Sequence, residues 1–361
     1  MKQNSIKTVS IIGIDLAKTI FQVHGINADG KAIVRRKLKR HEVCKYFARL
    51  PECLIGMEAC ASAHYWSRVL SALGHTVRLM APIHVKPYIK GNKNDMNDAE
   101  GICEAVQRPN MRFVSAKTPD QQAVLHCHQA RHLLVGQRVA LSNHMRGVLL
   151  EYGITLPQGN QVVSRRLPGL LEDADNDLPM LVRQTLSELK IEHDHIVEKI
   201  AQLFTHLKVW HAQSEASQRL AGIPGIGLLT ATALAATVGD VKQFRNGRHL
   251  AAYLGLVPRQ NSSGGKDRLL GISKRGNTYL RCLLVHGARS VIRHIKRRIE
   301  SGQEKGNEWV VQLLRCKHTN VVVVALANKM ARMAWALLAT GKDYRMSHSN
   351  SATWENLSFP G

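Results

Sequence analysis

Val9-Ser-Ile-Ile-Gly-Ile-Asp-Leu-Ala-Lys18 decides the reading of this chain. Apolar residues crowd in front of one carboxylate, Asp15. The alternation that follows, Phe21 and Val23, predicts a second strand paired to the first. A buried strand ending on Asp among small residues can hold a carboxylate rigidly at the centre of a sheet, an arrangement suited to a metal ion. The competing reading is an Asp at a strand end that starts an ordinary turn.

Two later stretches favour the metal reading. Leu54-Ile-Gly-Met-Glu58-Ala is another short apolar run that ends on a carboxylate. Lys93-Asn-Asp95-Met-Asn-Asp98-Ala-Glu100 opens a predicted helix. Asp95 and Asp98 are three apart and share a helix face, where two acids repel unless a cation sits between them. Asp15, Glu58, Asp95 and Asp98 form an all-oxygen set, which suits Mg²⁺ or Mn²⁺ rather than zinc. Such ions serve phosphodiester chemistry. Without a metal, Asp95 and Asp98 would read as acids placed at the positive end of a helix.

The composition points to a polyanion. The 361 residues carry 50 Lys and Arg against 27 Asp and Glu, a formal charge of +23. That imbalance argues for a nucleic-acid partner. A length of 361 predicts two or three domains, and 44% hydrophobic content is enough for real cores. No apolar run is expected to reach the roughly 18 residues of a membrane span; Val321-Val-Val-Val-Ala-Leu-Ala is soon followed by Lys329. No signal peptide is visible at the start. Seven cysteines without a C-x-x-C pair read as reduced thiols of a cytosol. In His126-Cys127-His128 the side chains point different ways on a helix, so the cluster reads as structural.

Residues 9 to about 115 read as α/β. Strands are predicted at Val9–Asp15, Phe21–Ile26, Ala32–Leu38, Leu54–Met57 and Thr76–Met80, with helices at His41–Leu50 and Ser62–Leu73. Gly74 suits a helix C-cap. The basic run Lys31 to Arg40 alternates with Val34 and Leu38; it reads either as a half-solvated strand or as a surface for nucleic acid.

From Pro119 the pattern turns helical. A long helix is predicted over Gln121–Tyr152, then a polar connection over Gly153–Pro179, then a second long helix over Leu181–Trp210. Leu189, Ile196, Ile200, Leu203, Leu207 and Trp210, with His193 in one seam position, alternate steps of three and four. That is a coiled-coil seam, paired with the first helix or with another protomer, or a plain helical hairpin.

Leu220-Ala-Gly222-Ile-Pro-Gly225-Ile-Gly227-Leu-Leu-Thr-Ala reads as a helix-hairpin-helix, whose free amides at a helix start can hold a DNA phosphate without reading sequence. A tight helix–helix turn is the alternative. Gly255-Leu-Val-Pro-Arg259-Gln-Asn-Ser262-Ser263-Gly264-Gly265-Lys266 then carries a flexible Ser-Ser-Gly-Gly loop flanked by Arg259, Lys266 and Arg268, with Lys274 and Arg275 close behind. A serine hydroxyl there could attack a phosphodiester beside stabilising cations, although Ser-Gly loops near Lys are common linkers. From residue 241 onward, 21 Lys and Arg face 6 acids, which marks this part for nucleic-acid contact.

Together these motifs resemble the DEDD transposases of the insertion-sequence family numbered one hundred and ten. The resemblance rests on Gly13-Ile-Asp15, Met57-Glu58-Ala, Asn94-Asp95-Met-Asn-Asp98-Ala, Gly222-Ile-Pro-Gly-Ile-Gly227 and Gly255-Leu-x-Pro-Arg followed by Ser263-Gly264. Met57-Glu-Ala-Cys-Ala-Ser-Ala-His-Tyr-Trp66 and Asn261-Ser-Ser-Gly-Gly-Lys266 are similar to its subgroup eleven-eleven. The resemblance implies an α/β RuvC-like, ribonuclease-H-type domain over 1–118 whose acids Asp15, Glu58, Asp95 and Asp98 bind Mg²⁺. It implies a coiled-coil or linker domain over 119–214, and a mainly α transposase domain over 215–345 with a helix-hairpin-helix. Residues 346–361 remain as a tail. It further implies a nucleophilic serine that becomes joined to DNA. The family motif puts it directly before a Gly, which selects Ser263, with Ser262 one residue away. A bridge RNA pairing with donor and target DNA is implied as well, although no residue of the sequence shows it.

The expected function is therefore a transposase that cuts and rejoins DNA as a homodimer or tetramer in the bacterial cytoplasm, at the nucleoid and away from membranes. DNA contacts are expected from Arg259, Lys266, Arg268, Lys274, Arg275, Gly225 and Gly227. A metal-only RuvC-like nuclease is the main alternative, and it would need the acids but not the serine loop. A non-enzymatic nucleic-acid binder would not need clustered acids. A sugar kinase, which also starts from Gly-Ile-Asp, lacks its second phosphate motif here.

Overall fold

The computed structural model describes residues 9–91, 94–159, 161–266, 268–302 and 308–345. The expected tail, 346–361, lies outside the described residues, as does Asp267. The chain divides into two compact units, Met1–Pro119 and Asp120–Gly361.

The first unit is a mixed sheet of β1 (Ile11–Leu16), β2 (Ile20–Ile26), β3 (Ala32–Lys39), β4 (Leu54–Glu58), β5 (Thr76–Met80) and β6 (Phe113–Val114). The strand order is β3-β2-β1-β4-β5-β6. β1, β2 and β3 pair antiparallel; β4 and β5 add in parallel to β1. The order is compatible with a ribonuclease-H-type domain. The two-residue strand β6, which the sequence pattern does not reveal, closes the far edge against β5. Helices α1 (Val43–Phe47), α2 (Ala63–Ala72), α3 (Pro82–Val85) and α4 (Asp95–Val106) complete the unit. Gly74 follows α2 at φ +94°, as its C-cap role requires.

Alternation sends the two faces of the sheet to different partners. Ile12, Ile14, Ile55 and Met57 point to one face and join Phe21, Leu38, Phe47, Trp66 and Leu70 in a fully buried core. Trp66 meets Phe21 edge-on at 5.1 Å. The opposite face, at Gly13 and Gly56, receives α4. A methyl on Gly13 would lie 2.2 Å from the Ala99 carbonyl, and one on Gly56 would lie 2.8 Å from Val106. The two glycines are cross-strand partners, so together they cut a groove into which α4 settles.

The second unit begins with α5 (Pro119–Glu151), α6 (Val162–Glu172) and α7 (Met180–Gln213). α5 and α7, about 50 Å long each, run antiparallel within one chain. Met145 packs with Leu186, Ser142 meets His193, and Cys127 reaches the Leu203 carbonyl. These contacts pair the two helices within one chain. α6 lies where the sequence predicts an irregular connection, and Pro168 stands inside it. Burial of Val163 and Leu167 against Met145, Leu149 and Leu186 outweighs the proline's lost hydrogen bond. His193, wholly buried, is held by Ser142 of α5, Ser164 of α6 and Asp194.

The rest of this unit comprises α8 (Glu215–Ala221), α9 (Leu228–Val238), α10 (Gly247–Tyr253), the hairpin β7 (Pro258–Gln260) and β8 (Leu269–Ile272), α11 (Thr278–Glu300), α12 (Glu308–Cys316) and α13 (Thr319–Thr340). Leu234, Leu284, Ile292, Val322, Leu326 and Met330 lie in its core. α13 departs from the expectation that no apolar stretch reaches a membrane span. Its 22 residues are long and apolar enough by length and composition. Its hydropathy comes from the residues it buries against α10 and α11, including Val322, Ala327, Met330 and Ala334.

Candidate active site and nucleic-acid surfaces

Asp15 ends β1, Glu58 ends β4, and Asp95 and Asp98 occupy the first turn of α4. Asn94 starts that helix by accepting a hydrogen bond from the Met96 amide at 3.0 Å. The close approach of α4 to Gly13 brings its first turn to the tip of β1. Carboxylate oxygens of Asp15, Asp95 and Asp98 lie within 4.8 Å of one another. The sequence reading of one helix face for Asp95 and Asp98 therefore has its counterpart in the geometry.

Glu58 stands beside this trio rather than within it. Burial, then the charges of Asp15 and Asp98, push its carboxyl above the usual range. Asp15 is raised in the same way, by burial first and then by Asp98 and Asp95; a hydrogen bond from the Leu16 amide partly opposes the rise. Half-buried carboxylates raised by burial and by neighbouring acids, as Asp15 and Glu58 are, hold unfavourable charge, which a divalent cation would relieve. The donors are oxygens only, so the set fits Mg²⁺ or Mn²⁺.

Ser262 and Ser263 lie at the tip of the β7–β8 hairpin, both exposed. The Ser-Ser-Gly-Gly stretch forms the turn of this hairpin. Ser263 and Lys266 form an antiparallel bridge around Gly264 and Gly265, at φ +56° and +74°. Two central residues at positive φ are what a type I′ turn demands, and only glycine takes both positions at little cost. The serines differ. The Ser262 hydroxyl accepts from the Gln260 side chain at 3.0 Å and from the Arg268 amide at 3.2 Å. The Ser263 hydroxyl makes no hydrogen bond among the described residues, while its carbonyl accepts from the Lys266 amide.

Arg259, Lys266, Arg268, Lys274 and Arg275 are all exposed around this hairpin. Its base is clamped by Arg281, a buried guanidinium the sequence reading did not single out. Arg281 donates to the Leu254 and Arg275 carbonyls and to the Thr278 hydroxyl. Beside it, Gly255 and Gly276 touch backbone so closely that added methyls would lie 2.2 Å and 1.8 Å from the Arg275 and Tyr253 carbonyls.

Of the three glycines between α8 and α9, Gly225 packs against Gly287 of α11 and Met330 of α13. Gly227 is exposed, with open space around it, at the start of α9. The sequence reading also passed over α11, whose solvent side carries His286, Arg289, Arg293, Lys296 and Arg297 at helical spacing. In the His126-Cys127-His128 cluster, His128 is buried between Tyr279 at 2.9 Å and Thr232 at 3.0 Å, and burial holds its pKa down to about 4. That is a structural role, as its sequence context indicates.

An acid-tipped sheet of this order, joined to a strongly basic helical unit, is compatible with an enzyme that processes DNA. A DEDD transposase model matches residues 12–154, and a model described as "Transposase IS116/IS110/IS902 family" matches residues 217–303. The chain is 43% identical over 344 residues to the transposase for insertion sequence element IS1111A of Coxiella burnetii, covering 95% of this chain and 93% of the relative. It is 43% identical over 333 residues to the IS1328 transposase of Yersinia enterocolitica, covering 92% and 98%. A Pseudomonas aeruginosa protein described as a family 20 transposase is 48% identical over 339 residues, covering 93% and 99%. The chain belongs to the IS110 family of insertion-sequence transposases.

Proposed function

We propose that this chain is a recombinase of its element, cutting and rejoining DNA with the acids of the first unit and Ser263 of the second. The observation that carries the reading is the convergence of Asp15, Asp95 and Asp98, with Glu58 beside them, from segments eighty residues apart. Asp15, Glu58, Asp95 and Asp98 would hold Mg²⁺ or Mn²⁺. When bound, the cation supplies positive charge against phosphate oxygens and favours ionisation of an attacking oxygen.

Ser263 Oγ attacks a DNA phosphorus. The Oγ–P bond forms as a P–O bond to one sugar breaks, and the hydroxyl proton passes through solvent to the leaving sugar oxygen. One end of the cut strand is then held as a phosphoserine diester, and the other end of that strand is a free hydroxyl. The choice of Ser263 over Ser262 is supported by hydrogen bonding, since Ser262 already ties the hairpin together. Arg259, Lys266, Arg268, Lys274 and Arg275 offset the phosphate charge. Gly227 and the first amides of α9 take a backbone phosphate, in the manner of a helix-hairpin-helix; Gly225 serves that turn by its packing.

The assembly is a homodimer or tetramer on donor and target DNA, at the bacterial nucleoid, with a bridge RNA as guide. The helical middle over 119–214 supplies a coiled-coil dimer surface, supported by the exposure of Leu133, Ile191 and Val209. The test is cleavage of a labelled DNA substrate with and without Mg²⁺. Wild type should cut only with the ion and Asp98→Asn should not cut. Equal cutting by both would overturn the role of the acids.

A further inference from the structure

The edge strand β3 carries cations in a pattern that nothing above uses. Lys31 to Arg40 holds six basic residues and no acid. Register assigns them to faces. Lys37 pairs with Gln22, which pairs with Asp15, so these three side chains lie in one row on one face of the sheet. Arg35 pairs with His24 and Gly13 in the next row, and Lys39 pairs with Ile20 in the row on the other side. Arg35, Lys37 and Lys39 therefore stand on the face that bears Asp15 and α4. Arg36 stands on the opposite face, over the Tyr46 ring at 5.3 Å.

Charged residues commonly guard an edge strand against pairing. Guarding accounts for exposed lysines, but not for what lies between them and the acids. Gln22 and His24 are buried polar residues, each only 4% exposed. The His24 Nδ1 has no hydrogen-bond partner and lies 3.9 Å from Glu100, which also meets Arg35 at 3.5 Å. The row is thus polar from the acids to the edge.

Its dimensions fit a nucleic-acid backbone. Neighbouring strands are about 4.8 Å apart, so Lys37 stands about 10 Å from Asp15. Alternate residues along β3 are about 6.7 Å apart, comparable with the through-space separation of adjacent phosphates along one DNA strand. The clustered carboxylates of Asp15, Asp95 and Asp98, with Glu58 beside them, repel DNA. Cations a short step away, on the same face, would offset that repulsion.

We propose that Lys37 and Lys39, with Arg35 behind them, form a backbone-phosphate track for the DNA strand that leads to Asp15. The track rests on the reading of the acids as the cutting site, and it commits to DNA. It reads no sequence, because all its contacts are to phosphate.

The test is binding by the full chain to a fluorescein-labelled 40-base-pair duplex of arbitrary sequence (about four helical turns) across a salt series. Each lost phosphate contact lowers the slope of log affinity against log salt by about 0.9. Lys37→Gln/Lys39→Gln should lower it by about 2, while Arg36→Gln on the opposite face should leave it unchanged. An unchanged slope in the double variant overturns the track. An equal loss in Arg36→Gln overturns the face assignment. A loss seen with an RNA duplex but not with DNA overturns the choice of DNA. Binding needs no cleavage, so these outcomes are separate from failure of the acid reading, which shows as cutting retained by Asp15→Asn.

Discussion

Asp15→Asn should make the metal-free protein more stable and the metal-bound protein comparatively less so. Oxygens of Asp15, Asp95 and Asp98 lie within 4.8 Å of one another. Two unit charges at that distance repel by about 0.9 kcal/mol in water and about 3.5 kcal/mol at an effective dielectric of 20. Asp95 is exposed and Asp15 half-buried, so a value near the lower end applies to each pair. Removing the Asp15 charge should stabilise the apo protein by roughly 2 kcal/mol at low salt, which raises Tm by several degrees. At physiological salt the screening length is about 8 Å, and roughly half of this gain should remain.

Asparagine keeps the shape and can still accept from the Leu16 amide, so cavity effects are small. The assay is thermal unfolding in EDTA and again in millimolar MgCl₂. An ion that binds only the folded state at about ten times its Kd adds about 1.4 kcal/mol. Wild type should gain that and the variant should gain little. The sign of the pH effect follows from the raised carboxyls of Asp15 and Glu58. Each binds its proton more tightly folded than unfolded, so the metal-free protein gains stability as pH falls from neutrality through the raised values. The gain is complete below the ordinary values of 3.8 and 4.5. A variant that is no more stable than wild type in EDTA, and gains as much from Mg²⁺, would refute the account of a repulsive metal site.

Gly13→Ala should cost more than the usual 1–3 kcal/mol of overpacking, because its methyl meets the backbone of α4. Chemical denaturation and Mg²⁺ titration should show lower stability and weaker binding together, since α4 carries Asp95 and Asp98. Arg281→Met leaves the Leu254 and Arg275 carbonyls without their donor. A loss of about 2–3 kcal/mol, with faster amide exchange in the β7–β8 hairpin, is the expected result. RNA purified with the protein from cells that carry the intact element should include one discrete species encoded beside the gene. Recovery of bulk cellular RNA alone would count against a dedicated guide.

Much of the first unit was legible because its signals are local. Short apolar runs that stop at Asp15 and Glu58 mark strand ends, and Asn94 before Asp95 marks a helix start. The reason that α4 meets β1 was not legible. It depends on Gly13 and Gly56 becoming neighbours across two strands, and only the sheet register shows that. The edge position of β3 and the alignment of Lys37 with Asp15 have the same origin. In the second unit, local preference misled at α6. Pro168 suggested an irregular connection, yet burial of Val163 and Leu167 makes a helix there. At Ser262-Ser-Gly-Gly the tight turn depends on pairing of the flanking strands, which the loop's own composition does not show. Arg281 gave no signal because an arginine that binds carbonyls is indistinguishable in sequence from one that binds DNA.

The central claim is that Ser263 becomes joined to DNA. The most direct measurement is mass spectrometry of the peptide containing Ser262 and Ser263, after denaturing a reaction of wild-type protein, Mg²⁺ and labelled substrate. The account predicts a nucleotide remnant on Ser263, with no covalent label on Ser263→Ala and label retained on Ser262→Ala. Cleaved DNA without any remnant on this peptide would contradict it and leave a nuclease that cuts with water.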